Sequence, residues 1–83
     1  MALRIKEDID LDILVTKYNF KKLSTGYYDA PSKKDEYGDK MASIGVDARY
    51  RRIDVPLESY YDIDIDPLFD LIVDGLVEKV EKI

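Results

Sequence analysis

Between Ala42 and Ala48 the chain alternates: Ala42, Ile44, Val46 and Ala48 stand against Ser43, Gly45 and Asp47, the period-two pattern of a strand with one buried face. Arg51, Ile53 and Val55 repeat the alternation as far as Pro56, which has no backbone N–H to donate, so a second, shorter strand or a bent continuation is predicted there. Tyr61, Ile63 and Ile65 alternate with Asp62, Asp64 and Asp66; on an extended backbone the apolar side chains share one face and the three carboxylates the other. The segment from Phe20 to Asp29 is too short and too aromatic for a helix and predicts one more strand, bulged at Gly26.

Two segments carry the longer helical period. Leu11, Leu14, Val15 and Tyr18 fall at i, i+3, i+4 and i+7 behind Asp10, a good capping residue, and Asn19 can take the left-handed conformation that ends the helix. Asp66 and Pro67 predict the start of a second helix with Leu68, Leu71 and Ile72 as its apolar stripe and Gly75 as its stop. Residues 76–83 fit a closing strand as well as a further helical piece. Pro31 to Lys40 is polar and turn-rich and reads as an exposed loop. The fold class predicted is α+β in a single domain over residues 1–83: a short N-terminal helix, a three- to four-stranded, mainly antiparallel sheet, and a C-terminal helix packed on one face. Its core is expected to hold Leu11, Leu14, Val15, Phe20, Ile44, Val46, Ile53, Val55, Ile63, Leu68, Leu71, Ile72 and Leu76.

Composition narrows the chemistry. The 83 residues include no Cys, which removes disulfides, thiolate nucleophiles and the usual structural zinc sites. They also include no His, the side chain whose ordinary pKa lies near neutrality, so acid–base catalysis would need a strongly shifted carboxylate, Lys or Tyr. Neither an enzyme nor a bound cofactor is expected. No apolar run is long enough to cross a membrane, and the first eight residues lack the apolar stretch of a secretory signal, so a cytoplasmic protein is expected. The net charge of −5 is uneven: residues 1–52 carry 11 basic and 9 acidic side chains, and residues 53–83 carry 2 and 9. An acidic C-terminal third could steer a charged partner or simply confer solubility.

Three clusters invite a functional reading. Asp62, Asp64 and Asp66 resemble alternate oxygen ligands of a calcium loop, but Pro67 stands where that loop needs Gly and Val73 where it needs Glu, so no metal site is assigned. Arg49, Arg51 and Arg52 with Lys21 and Lys22 would make a nucleic-acid-binding face, although strand alternation divides the arginines between two faces and the pI of about 4.6 is far from the basic footprint of such proteins. Pairing of the arginines with the acidic third is the plainer account. Seven tyrosines are many for this length; Tyr27, Tyr28, Tyr60 and Tyr61 come in adjacent pairs that strands must split between faces, and these four with Tyr50 are the candidate partner-binding residues. They could equally fill the core with their hydroxyls reaching water. An unpaired edge strand could also make a homodimer.

The segment Asp66-Pro67-Leu68-Phe69-Asp70-Leu71-Ile72-Val73-Asp74-Gly75-Leu76-Val77-Glu78-Lys79-Val80, with Asp10-Leu11 and Tyr18-Asn19-Phe20 upstream, resembles small uncharacterised proteins encoded by phages and prophages of Gram-positive bacteria. The likeness covers about a third of the chain and transfers no active-site residue. It implies a phage accessory protein of a group without known function, while the tyrosines and the acidic surface are what make a non-enzymatic role in binding another protein the expected one.

Overall fold

The computed structural model describes residues 2–56 and 62–80. In chain order the elements are β1 (Ala2–Ile5), α1 (Asp12–Thr16), β2 (Lys21–Lys22), β3 (Tyr27–Asp29), β4 (Ala42–Ser43), β5 (Gly45–Asp47), β6 (Ile53–Asp54), β7 (Ile63–Asp64), α2 (Asp66–Val73) and β8 (Val77–Val80). The α+β class with a mainly antiparallel sheet is as predicted. The first helix, however, is preceded by a strand, and the second is followed by one.

The sheet runs β2-β3-β5-β6, antiparallel throughout. Its register sets Tyr28 opposite Val46 and Val46 opposite Ile53, and all three are buried, so one apolar row crosses three strands. The antiparallel pair β1-β8, with Ile5 opposite Val77, joins this sheet beside β6. Arg4 bridges Arg52 there, and the Ile5 N–H donates to the Arg51 carbonyl at 2.8 Å. Ile44 splits the long strand predicted over 42–48: its carbonyl accepts from Ala30 N–H, while β4 on its other side pairs in parallel with β7. The one strand expected from Phe20 to Asp29 is a hairpin, β2 and β3, because Gly26 at φ 83° supplies a turn that closes with Leu23 N–H on the Tyr27 carbonyl at 2.8 Å.

The helix ends follow local chemistry. The Asp10 carboxylate accepts from Asp12 N–H at 3.0 Å at the entry to α1, and Asn19 at φ 61° ends that turn as predicted. Gly75 at φ 78° closes α2, with Leu76 N–H reaching back to the Leu71 carbonyl at 3.0 Å. Past Gly75 the chain is a strand, β8, not a helix. The 31–40 segment is exposed as expected, yet it is bonded into a turn. Lys34 pairs with Lys40, and the Asp35 carboxylate accepts from the N–H groups of Tyr37 and Asp39, both at 2.9 Å.

One apolar cluster joins the layers: Ile5, Leu14, Phe20, Tyr28, Ala30, Ile44, Val46, Ile53, Leu71 and Leu76. Leu11, Val55 and Leu68 pack against it and Ile63 is half-buried, so most of the predicted core is in place. Val15 and Ile72 are corrections. Both are exposed, because a short helix lying on one layer covers a single face, and Leu14 and Leu71 hold it.

Candidate interaction surface

Period two fails at the acidic stretch, and the failure shapes the surface. Ile65 has φ −93° and ψ −2°, already near helical values, so the chain turns into α2 one residue earlier than a strand through Asp66 would allow. Asp64 therefore points inward, only 5% exposed, and Ile65 points out. The predicted separation of three outward carboxylates from inward isoleucines is overturned. The buried Asp64 carboxylate accepts from Asp66 N–H at 3.1 Å, and so Asp64, not Asp66, satisfies the start of α2. Its second partner is Lys33, whose ammonium lies 3.6 Å from Asp64 Oδ1 and also donates to Asp66. Those two carboxylates hold the Lys33 pKa above its ordinary value, the hydrogen bond to Asp66 contributing most. Where a calcium reading would put an ion, the chain places its own cation on two of the three aspartates. Among the described residues, no three His, Cys, Asp or Glu side chains converge as metal ligands.

The predicted tyrosine surface is only partly present. Tyr28 is 3% exposed and belongs to the core row, which removes it from the contact set: the strand that carries it sends every second side chain inward. Tyr27, half-buried, lies over Gly45, where a Cβ would fall 2.1 Å from the phenolic oxygen, and its hydroxyl donates to Asp54 at 3.2 Å. Tyr50 is exposed, its ring 5.2 Å from the Arg49 guanidinium, and Tyr37 stands at the tip of the 31–40 turn. Tyr60 and Tyr61 lie outside the described residues.

The basic residues do not converge. Lys21 and Lys22 lie on β2, three strands away from Arg52, which pairs with Asp54 at 3.1 Å. The Arg51 guanidinium turns inward to the carbonyls of Lys6 and Ile9 at 2.9 and 2.5 Å.

What the structure does bring together is the outer side of α2. Ile65, Phe69, Ile72 and Val73 are 57, 62, 49 and 63% exposed, and they recur at i, i+4, i+7 and i+8, a single ridge turned away from the buried Leu71. Asp66, Asp70 and Asp74 form the neighbouring stripe along one flank. At its far end Asp74 accepts from the Tyr18 hydroxyl at 2.5 Å and lies 3.9 Å from the Lys17 ammonium, which ties α1 to the end of α2. Between Lys17, Tyr18 and Phe20 on one side and Pro67 and Asp70 on the other runs a cleft of about 270 Å³. No helix among the described residues is long and apolar enough to cross a membrane.

Two phenols titrate late for the same reason. Burial, then the Asp74 carboxylate, pushes the Tyr18 hydroxyl up to about 12, and burial, then Asp54, pushes Tyr27 up to about 12. An unfolded phenol ionises near about 10, so below that pH neither residue makes stability pH-dependent. Between about 10 and about 12 the folded state holds protons that the unfolded state has lost, and stability falls as pH rises through that window. Phenolate absorbance should accordingly show a late component near 12 that shrinks in both Tyr18→Phe and Tyr27→Phe. Urea midpoints should decline as pH rises above about 10, and less so in each variant. A single tyrosine step near 10 in the folded protein would refute both assignments.

Comparisons with protein families, with curated proteins and with solved structures found no match.

Proposed function

We propose that the chain is a non-catalytic accessory protein, of the phage or prophage kind that its second helix resembles, and that it acts by binding another protein. The reading rests on one observation above the rest: α2 leaves four large apolar side chains, Ile65, Phe69, Ile72 and Val73, exposed on one ridge. Scattered single apolar residues on a surface need no explanation, but a contiguous set on one short helix exposes area that water disfavours and that a partner would cover. The acidic flank beside it, with exposed Tyr37 at a turn whose base reaches the start of α2 through Lys33, supplies polar rim and aromatic contact area of the kind interfaces use.

Affinity capture from a Gram-positive bacterial lysate tests this when three baits are compared. A protein retained by the parent chain and by Ile9→Val should be lost with Phe69→Asp, a substitution at an exposed position that should leave the urea midpoint unchanged. If parent and Phe69→Asp retain the same proteins in the same amounts, the ridge is not the binding surface and the proposal falls.

A further inference from the structure

From the charge laid beside the α2 ridge we infer the chemistry of its partner: an apolar groove, walled on one side by Lys or Arg, that receives α2 as a helix. The inference rests on the protein-binding reading above and adds the identity of the occupant to it. From Asp62 to Leu76 there are five aspartates and no basic residue. Lys33 lies on Asp64 and Asp66, and Lys17 lies near Asp74, so five negative charges meet two positive ones and the surround of α2 keeps a net charge of −3. Asp70, at the middle of the stripe, is exposed and has no cationic partner among the described residues.

This charge is one-sided. At about 100° per residue, Ile65, Phe69, Ile72 and Val73 span one arc of the helix and Asp66, Asp70 and Asp74 the adjoining one, ahead of the buried side. A groove that takes Phe69 and its neighbours therefore brings one of its walls, and only one, against the carboxylates. Cations on that wall would be met by opposite charge, while a neutral or acidic wall would bury or oppose unpaired carboxylates. The cleft beside Asp70 gives a long basic side chain room to lie along Pro67 and reach the carboxylate. The same charge disfavours a second copy of this chain as the occupant, because a twofold contact through α2 would set two such acidic surrounds against each other. Spacing of the anchors at i, i+4, i+7 and i+8 is what a groove that accepts one helix face requires.

A random peptide library displayed on phage and panned on the purified chain supplies a probe without prior choice of partner. Selected peptides should combine apolar residues with Lys or Arg. Their dissociation constants should rise at least about tenfold with Phe69→Asp and several-fold with Asp70→Lys, and the parent's affinity should weaken more steeply with salt than that of Asp70→Lys. Peptides that depend on Phe69 but bind Asp70→Lys as tightly as the parent would overturn the basic wall and leave the protein-binding reading standing. Peptides indifferent to Phe69→Asp would overturn both. A parent chain that sediments as a dimer and becomes monomeric with Phe69→Asp would make a second copy the occupant and refute the inference outright.

Discussion

Alanine at Leu71 will lower folding stability by about 2–5 kcal/mol, and alanine at Ile72, the next residue, by no more than about 1 kcal/mol. Leu71 is wholly buried in the apolar cluster with Leu14, Ile44 and Leu76, so its truncation removes apolar surface from a packed site and leaves a cavity that a rigid sheet cannot close. Ile72 is about 100° further round the helix, half in water already, and its truncation leaves no hole. A domain of this length has on the order of 4–12 kcal/mol in all, so the first substitution spends a large part of it. Paired urea titrations give the answer through their midpoints at constant slope. Equal losses at the two positions would mean that α2 is rotated on the sheet and that its outer ridge is not outer.

That contrast also marks where the amino-acid pattern stops being informative. Both leucine and isoleucine read as core from spacing alone, since periodicity reports which residues are apolar and not how many faces the fold will cover. From Ile65 to Val73 only Asp66 and Asp70 are polar, too few for a helix that lies on one layer. The excess of apolar positions was the available signal of an exposed ridge. Turn chemistry was legible where one residue ends a helix, as Asn19 and Gly75 both take the left-handed conformation; at Gly26, read as a bulge, the same conformation turns a hairpin instead. Period two was legible where it runs for several residues, and the burial of Ile44 and Val46 follows it. It misled at Asp64, because the strand ends there and Ile65 already takes near-helical angles at the entry to α2.

The strands β1 and β8 were out of reach for a different reason. Ala2-Leu3-Arg4-Ile5 and Val77-Glu78-Lys79-Val80 are each four residues, too few to separate strand from helix by period, and each is held by a partner some 75 residues away in the chain. Only tertiary pairing decides such segments. The candidate site shows the same division. The acidic flank was visible in the charge count, whereas Tyr28 could be assigned to the core only once its register against Val46 was known.

Arg51 is where a single substitution should separate backbone strain from side-chain bonding. It sits at φ 58° in the turn between β5 and β6, a conformation that costs a non-glycine residue about 1–2 kcal/mol. The surrounding contacts hold it there. Its carbonyl accepts from Ile5 N–H, its guanidinium spans to the carbonyls of Lys6 and Ile9, and Asp47 N–H closes the turn on the Arg52 carbonyl at 2.9 Å. One residue thus fastens the β5–β6 turn to the link between β1 and α1. Arg51→Ala keeps the strained backbone and strips two half-buried carbonyls of a charged donor, and should cost about 2–4 kcal/mol. Arg51→Gly loses the same donor but relaxes the backbone, so it should be about 1 kcal/mol less damaging than alanine. Both carbonyls bond the same guanidinium nitrogen, Nη1, so the shorter lysine, whose ammonium also carries more than one N–H, should recover part of the loss. If glycine proves worse than alanine, the left-handed strain is absent and the turn is held by other means; if alanine melts with the parent, the guanidinium is not fastening the two segments together.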